Sequence, residues 1–184
     1  MDELWQLYSE QGVALGGKGE TKAEVSSKGL LHGAAHVWIW RLEDGITEVL
    51  LQKRAPNKRT WPNRYDVSAA GHINLDEAPI DAAQREAKEE INLDIPRDDL
   101  KLFGVHRAHL KTENGAIENE FQWLYSLKLA GGTSFSLRAT EVESLVWLPI
   151  KQFKAECRNA QYVPHTGLYY DTVIAAIEYA ANAT

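Results

Sequence analysis

The sequence contains a single cysteine, no excess of positive charge and no long apolar stretch, and each absence excludes a class of protein. Cys157 is alone among 184 residues, so no disulfide can form within the chain, and a reducing cytoplasm is the expected compartment. Acidic residues outnumber Lys and Arg by 26 to 20, which argues against a nucleic-acid-binding surface. No apolar run could span a bilayer, and the opening MDELWQLYSEQG lacks the pattern of a secretory signal.

The remaining composition is that of a globular protein. Hydrophobic residues make up 44% of the chain, enough for one domain with a buried core, which we expect over residues 31–184. Residues 1–30 are polar and contain several glycines, which predicts an N-terminal arm or hairpin extension with little functional content. Such an arm can cover a sheet edge or a partner subunit, so the sequence leaves a homodimer open.

The stretch from Gly71 to Leu93, GHINLDEAPIDAAQREAKEEINL, concentrates more ionisable side chains at helical spacing than any other part of the chain. Its segment Asp76-Glu77-Ala78-Pro79 predicts a helix start, with an aspartate available as cap and a proline in the first turn. The helix should run from about Ala78 to about Ile91. It has a narrow apolar stripe suited to close packing on a sheet, formed by Ala82, Ala83, Ala87 and Ile91.

Three glutamates on this helix are expected to share one face. Glu86, Glu89 and Glu90 stand at positions i, i+3 and i+4, where like charges repel each other. A solvated acidic face is the simplest interpretation of such a pattern. The alternative is that cations lie among the carboxylates, and Mg²⁺ or Mn²⁺ are the natural occupants of an all-oxygen site.

The spacing of the whole stretch resembles the signature of the Nudix hydrolases. Gly71, Glu77, the pair Arg85-Glu86 and the pair Glu89-Glu90 stand in register with it, whereas Asn92 replaces the usual glycine. Asparagine tolerates the left-handed backbone that would end the helix there. The resemblance implies an α/β fold, specifically an α/β/α sandwich with a central mixed sheet.

The same resemblance implies a chemistry and roles for the matched residues. Glu86, Glu89 and Glu90 would hold Mg²⁺ or Mn²⁺, with Glu89 and Glu90 taking part in the catalytic attack of water on a diphosphate. Arg85 would pair with Glu77 and brace the loop, and Gly71 would let the backbone approach the ions. The expected partner is a small-molecule diphosphate substrate.

Alternating and β-branched residues predict the other elements. Strands are expected at residues 31–41 and 46–54, which form a hairpin, and at residues 65–70, 100–110, 118–129 and 144–148. A short helix should begin at Pro149, and a longer one should cover residues 167–181 with a buried stripe formed by Tyr170, Val173, Ile174 and Ile177.

The loop after the hairpin is basic in an otherwise acidic chain. Lys53, Arg54, Lys58 and Arg59 lie in or just before the segment APNKRTWPN, immediately upstream of the signature. A solvated loop would explain them equally well. Their position favours binding of diphosphate oxygens, with Arg54 and Lys58 as the first candidates.

A second, narrower resemblance is to the branch of the Nudix superfamily that contains isopentenyl-diphosphate isomerase. The segments that carry it are LLHGAAHVWIW, LLQKRAPNKRTWPNRYDVSAAGH and GAIENEF. It implies a further metal site at His32, His72, Glu118 and Glu120, although Val25 stands where that branch has another histidine. The catalytic cysteine of the isomerase is replaced by Ala70, so hydrolysis is the reaction that the remaining residues fit.

Two questions stay open at this stage. The general base could be Glu120, Glu141 or a signature glutamate, because the base differs among members of the superfamily. The protein could hydrolyse a nucleoside-diphosphate-type or isoprenoid diphosphate, retain an isomerase-like activity, or only bind a diphosphate. A binding-only domain has no reason to keep all five of Glu77, Arg85, Glu86, Glu89 and Glu90, which favours the hydrolase.

Overall fold

The computed structural model describes residues 3–112 and 115–183. In chain order, strands β1 to β9 cover Leu4–Tyr8, Ala14–Thr21, His32–Glu43, Ile46–Arg54, Tyr65–Asp66, Ala69–His72, Lys101–Lys111, Ile117–Lys128 and Val142–Pro149. Helices α1 to α4 cover Lys22–Lys28, Pro79–Ile91, Ile150–Glu156 and Tyr169–Asn182. None of the helices in these described ranges has both the length and the apolar character that a membrane crossing requires.

Strand β3 is the centre of a mixed sheet. One of its edges pairs in parallel with β8 from His32↔Glu120 to Trp40↔Lys128. Its other edge pairs antiparallel first with β6 and then, from Trp40 onward, with β4. Strand β7 extends the sheet beyond β8, and β9 extends it beyond β4.

Side chains that alternate along β3 divide the core into two layers. Val37 and Ile39 pack with Ala83, Ala87 and the rest of the buried face of α2. Trp38 and Trp40 point to the other side, where they pack with α3 and α4. The predicted stripe of the last helix is buried there in full. The fold is therefore the α/β/α sandwich with a central mixed sheet that the sequence predicted.

The strand predicted at residues 65–70 forms as two short strands, β5 and β6. In the gap between them, the side chain of Ser68 takes the place of backbone pairing to β3 and β4. The Ser68 hydroxyl accepts a hydrogen bond from the backbone N–H of Ile39 at 2.9 Å and donates one to the carbonyl of Leu50 at 2.6 Å. These bonds lie where β3 exchanges β6 for β4 as its neighbour. The buried serine satisfies backbone groups that would otherwise have no partner.

The N-terminal segment forms the predicted hairpin from β1 and β2, and also a helix, α1, that the sequence analysis missed. Thr21 caps this helix, since its hydroxyl oxygen accepts a hydrogen bond from the N–H of Glu24. The arm is joined to the sheet: Tyr8 donates its N–H to the carbonyl of Leu31, and Gln6 donates to the carbonyl of Ile73. Trp5 and Tyr8 are buried by this contact.

The sequence predicted the C-terminal end of α2 correctly and its N-terminal end only in part. The expected aspartate cap is wrong: Ala78 occupies the N-cap without a side-chain hydrogen bond, and Asp76 sits in the preceding turn with φ of 62°. Pro79 begins the helix as predicted. At the other end, Asn92 adopts the predicted left-handed conformation, with φ of 54° and ψ of 39°.

We expect Asn92→Ala to lower the free energy of unfolding by about 1 kcal/mol, because alanine tolerates a left-handed backbone less well than asparagine. Asn92→Gly is the matched variant and should equal or exceed the stability of the wild type, since glycine has no Cβ. Urea unfolding followed by tryptophan fluorescence measures both. Equal stability of the alanine and glycine variants would contradict the proposed role of this residue.

Candidate active site

The three signature glutamates line one cavity of about 320 Å³. Glu90 lies deepest, 5% exposed, where one of its oxygens accepts hydrogen bonds from Gln52 Nε2 at 3.2 Å and from the N–H of Ala70 at 3.1 Å. Burial, reinforced by the negative charge of Glu86, raises the pKa of Glu90 to about 8. Burial also raises the pKa of Glu86, because Arg85 offsets only part of its desolvation.

Gly71 brings the loop backbone against the helix. A Cβ at this position would lie 2.0 Å from the Glu86 carboxylate, so only glycine allows this approach. A side chain here would displace the Glu86 carboxylate, which is the end of a flexible side chain, from its position beside the loop.

Arg85 braces the loop before the helix, as the sequence predicted. Its Nε and Nη2 donate to the two carboxylate oxygens of Glu77 at 2.8 and 2.9 Å, and Nη2 also donates to the carbonyl of His72 at 2.9 Å. Glu77 in turn accepts the N–H of Asn74 at 2.8 Å. The bidentate pair fixes the loop in one geometry.

A second group of candidate ligands lies in the same cavity. His32 Nε2 and His72 Nε2 approach the same oxygen of Glu120 at 3.2 and 3.3 Å, and the three ligand atoms lie within 4.8 Å of one another. The period of a strand places Glu118 and Glu120 on one side of β8, and Glu118 also lines the cavity. The ligands implied by the isomerase resemblance are thus brought together.

The protonation of this group follows from burial and from mutual contact. Although burial opposes its charge, hydrogen bonds from both histidines hold the pKa of Glu120 well below its usual range. Desolvation lowers the pKa of His72 to about 4. Burial, together with the charge of Glu120, raises the pKa of Glu118 to about 7.

The donor sets fit divalent cations. Two carboxylates of α2, Glu86 and Glu90, are costly to bury as anions without a positive charge between them, and their oxygens suit Mg²⁺ or Mn²⁺. The cluster of His32, His72 and Glu120 adds two imidazoles, which suit Mn²⁺ or a softer ion such as Zn²⁺.

Three of the four predicted basic residues, Arg54, Lys58 and Arg59, line the cavity. Arg54 is held in place by Asp66 at 2.9 Å and by the carbonyl of Thr60. Lys58 pairs with Glu141, the predicted alternative base, which also lines the cavity. Lys53, the fourth of these residues, does not line the cavity: it precedes Arg54 on a strand and pairs with Glu143 at 3.1 Å.

The N-terminal arm contributes to the site, contrary to the expectation that it has little functional content. The Trp5 ring stacks on His72 with centroids 3.5 Å apart and lies 5.2 Å from His32. Lys22 of α1 lines the cavity above Trp5, and burial with the charges of Lys58 and Arg59 lowers its pKa. Sequence spacing gave no signal for either residue, because their positions depend on how β1 pairs with the sheet.

Comparison with known proteins identifies the family of the chain. The NUDIX domain model matches residues 31–166. Nudix hydrolase 3 of Arabidopsis thaliana is 30% identical over 170 residues, which are 89% of this chain but only 22% of that protein, so the chain spans a small part of it. An isopentenyl-diphosphate Δ-isomerase of Aliivibrio fischeri is 33% identical over 150 residues and 80% of each chain.

Among solved structures, the DR0079 protein of Deinococcus radiodurans superposes with a TM-score of 0.67 at 19% identity, covering 95% of this chain and 99% of that one. This likeness concerns the fold. The family match, by contrast, covers the signature helix, the basic loop and the strand that carries Glu118 and Glu120. On these grounds the chain belongs to the Nudix hydrolase family.

Proposed function

We propose that the protein is a metal-dependent pyrophosphohydrolase that cleaves the diphosphate of a small-molecule substrate, X-diphosphate, by attack of water. The observation that carries the proposal is that one cavity contains both Glu86, Glu89 and Glu90 and a set of cationic side chains. Carboxylates alone would repel a diphosphate, and cations alone would bind it without activating water. Together, the carboxylates and the cationic side chains can bind a diphosphate and activate water.

The reaction is a phosphoryl transfer to water. The water oxygen forms a bond to one phosphorus of the diphosphate, the bridging P–O bond breaks, and the other phosphate leaves with its substituent and the electron pair of that bond. Divalent cations at the glutamates would neutralise charge on the diphosphate oxygens and lower the pKa of the attacking water. A carboxylate of the protein accepts the proton.

Of the two loop and strand candidates for the general base, the contacts favour Glu141. Glu120 accepts hydrogen bonds on both oxygens, from His32 and His72 on one and from Gln122 on the other, so it is better suited to hold a cation. Glu141 is partly exposed in the cavity, and among the described residues its one side-chain partner is Lys58, which pairs with a single oxygen. The other oxygen can accept a proton from water.

The cationic residues serve to hold the diphosphate. Arg54, fixed by Asp66, and Lys58 are the primary candidates, with Arg59 and Lys22 nearby in the same cavity. An ammonium group has three N–H bonds, so Lys58 can contact a phosphate oxygen while it still pairs with Glu141. Burial and the charges of Lys58 and Arg59 lower the pKa of Lys22, Glu141 and Glu3 act in the opposite direction, and a bound diphosphate would add to this compensating negative charge.

An isomerase activity is not favoured. Isomerisation of an alkene needs one group to donate a proton to carbon and another to remove one. Ala70 lines the cavity at the position where the isomerase branch has its cysteine, and its methyl group can do neither.

The central prediction concerns the signature glutamates. Glu90→Gln and Glu89→Gln should each lower metal-dependent turnover by several orders of magnitude, because a ligand charge is lost while the fold is kept. The measurement is the formation of phosphate, pyrophosphate or phosphomonoester products with Mg²⁺ or Mn²⁺ from nucleotides, nucleotide sugars, and isopentenyl and dimethylallyl diphosphates. Asp81→Asn, on the same helix but paired with Arg97 outside the cavity, is the matched control and should keep full activity.

Near-full activity of both Gln variants would show that the ligand assignment is wrong. If no compound of the panel turned over while some bound tightly, the protein would be a diphosphate-binding module, and the hydrolase proposal would be abandoned.

The metal-free protein should lose stability as the pH rises from 6.5 to 8. Glu90 has a folded pKa near 8 and an ordinary value of 4.5, so in this window the folded state binds a proton that the unfolded state has released. His36 and His72, with pKa values lowered to about 3 and about 4, affect stability mainly below this window, whereas Glu118, with its pKa raised to about 7, adds to the loss in the lower part of the window. Urea unfolding in EDTA at the two pH values measures the effect.

In Glu90→Gln this loss should shrink, since glutamine does not titrate. Addition of Mn²⁺ at pH 8 should restore stability to the wild type but much less to the variant. A wild type whose stability rose between pH 6.5 and 8 would contradict the assignment.

Two separable cation sites are expected. Glu90→Gln should weaken Mn²⁺ binding at the helix, whereas Glu120→Gln should weaken binding at the histidine cluster and leave the helix site loaded. Titration of Mn²⁺ followed by electron paramagnetic resonance counts the ions bound by each variant. If both variants lost the same single ion, the two ligand groups would share one site.

A further inference from the structure

Arg138 is a cation of the main cavity that lies outside both the signature helix and the basic loop. It belongs to the segment between β8 and β9 that also carries Glu141. Its Nη1 donates a hydrogen bond to Glu89 Oε2 at 3.3 Å, and Glu89 itself lines the cavity. Arg138 therefore pairs with a carboxylate that a divalent cation would also bind.

The backbone of Arg138 is fixed on both sides of the cavity. Its N–H donates to the carbonyl of Glu90 at 2.9 Å, in the last turn of α2, where carbonyls have no partner within the helix. The neighbouring Leu137 packs against the core. On the other side, the N–H of Ala55 donates to the carbonyl of Glu141 at 3.0 Å, which joins the same segment to the basic loop. The side chain of Arg138 thus starts from a defined point beside the helix glutamates.

The side chain itself is held weakly. The side chains of Arg138 and Glu89 are 53% and 43% exposed, and an ion pair as exposed as this contributes little to stability. Among the described residues, Glu89 is the one side-chain partner of Arg138, so most of the five N–H groups of the guanidinium remain available. Arg85 differs, because Glu77 and Glu86 hold its guanidinium in place. Only the first of these two arginines can change its partner at little cost.

A cation at Glu89 would remove the reason for the present pairing. Arg138 Nη1 lies 3.3 Å from Glu89 Oε2, and Arg85 Nη1 lies 3.7 Å from Oε1, so two arginines flank the carboxylate. With a divalent cation bound to the same carboxylate, the Arg138 guanidinium would face a positive charge and be repelled by it. The nearest new negative charge in the cavity would then be that of a bound diphosphate.

Building on the proposed hydrolase function, we propose that Arg138 is a further substrate-binding residue, which pairs with Glu89 in the empty site and with a phosphate oxygen once Glu89 holds a cation. Arg54 and Lys58 contact the diphosphate from the basic loop, and Arg138 contacts it from the end of α2. A guanidinium group can donate to two oxygens of one phosphate, which suits this role. The exchange makes tight binding of the substrate depend on prior or simultaneous binding of the cation.

The experiment measures binding rather than turnover. Methylenediphosphonate is a diphosphate analogue whose bridging carbon resists hydrolysis, and isothermal titration calorimetry with Mn²⁺ in excess gives its dissociation constant. We expect Arg138→Gln to raise this constant about tenfold, because one charge-assisted contact is lost. Arg138→Lys keeps the charge but not the planar fork, so its constant should lie between those of the wild type and the glutamine variant.

A second measurement separates this role from that of positioning Glu89. A residue that positioned the carboxylate for the cation would weaken Mn²⁺ binding when it is removed. Because Arg138 competes with the cation, Mn²⁺ should bind to Arg138→Gln at least as tightly as to the wild type, as followed by electron paramagnetic resonance without the diphosphonate. Lys88→Gln is the matched control: it removes a positive charge adjacent to Glu89 in sequence, but Lys88 pairs with Asp94 outside the cavity. It should leave the diphosphonate constant unchanged.

The outcomes separate the two proposals. If the wild type with Mn²⁺ does not bind methylenediphosphonate, the diphosphate site of the proposed hydrolase fails, and this inference fails with it. If the wild type binds it but Arg138→Gln binds it equally well, or if Lys88→Gln weakens it as much, Arg138 makes no contact with the substrate. If Arg138→Gln binds Mn²⁺ more weakly, Arg138 positions Glu89 instead. Each of these last results overturns this inference and leaves the hydrolase proposal in place.

Discussion

The site depends on one buried carboxylate. Glu90 projects from α2 into the junction between the helix and the sheet, where Gln52 of β4 and the backbone of β6 donate hydrogen bonds to it. The same junction brings Gly71 against Glu86, a contact that any Cβ would prevent. A buried carboxylate in this position is unfavourable unless it is protonated or a cation compensates its negative charge. The packing of the helix on the sheet and the chemistry of the cavity therefore both depend on how the charge of Glu90 is neutralised.

The pairing of β3 with different strands along its two edges explains how residues that are distant in sequence come together at the site. Along one edge, β3 lies beside β8, which places Glu120 next to His32 in exact parallel register. Along the other edge it pairs with β6, which brings His72 to Ala34. Where β6 gives way to β4, the hydroxyl of Ser68 satisfies one backbone group of β3, the N–H of Ile39, and one of β4, the carbonyl of Leu50. Three ligands from three strands thus converge because β3 lies between β8 on one edge and β6 on the other.

Sequence predicted what depends on local spacing. The helical period placed Glu86, Glu89 and Glu90 on one face, the strand period placed Glu118 and Glu120 together, and the turn chemistry of Asn92 predicted its left-handed backbone. What depends on contacts between distant segments was missed. Lys53 and Arg54 are adjacent in sequence but only Arg54 faces the cavity, and the cap at Asp76 failed because the Arg85–Glu77 pair holds that loop in another conformation. Trp5 and Lys22 could not be predicted before the pairing of β1 was known.

The stacking of Trp5 on His72 attaches the N-terminal arm to the cavity, and this contact affects where the domain should be taken to begin. The family match begins at residue 31, after both strands of the hairpin and the helix that carries Lys22. A fragment cut at that boundary would retain every residue of the signature and yet lose the aromatic cover of the histidine cluster and one cation of the cavity. The functional unit is therefore longer than the segment by which the family is recognised, and the hairpin belongs to it as a wall of the site.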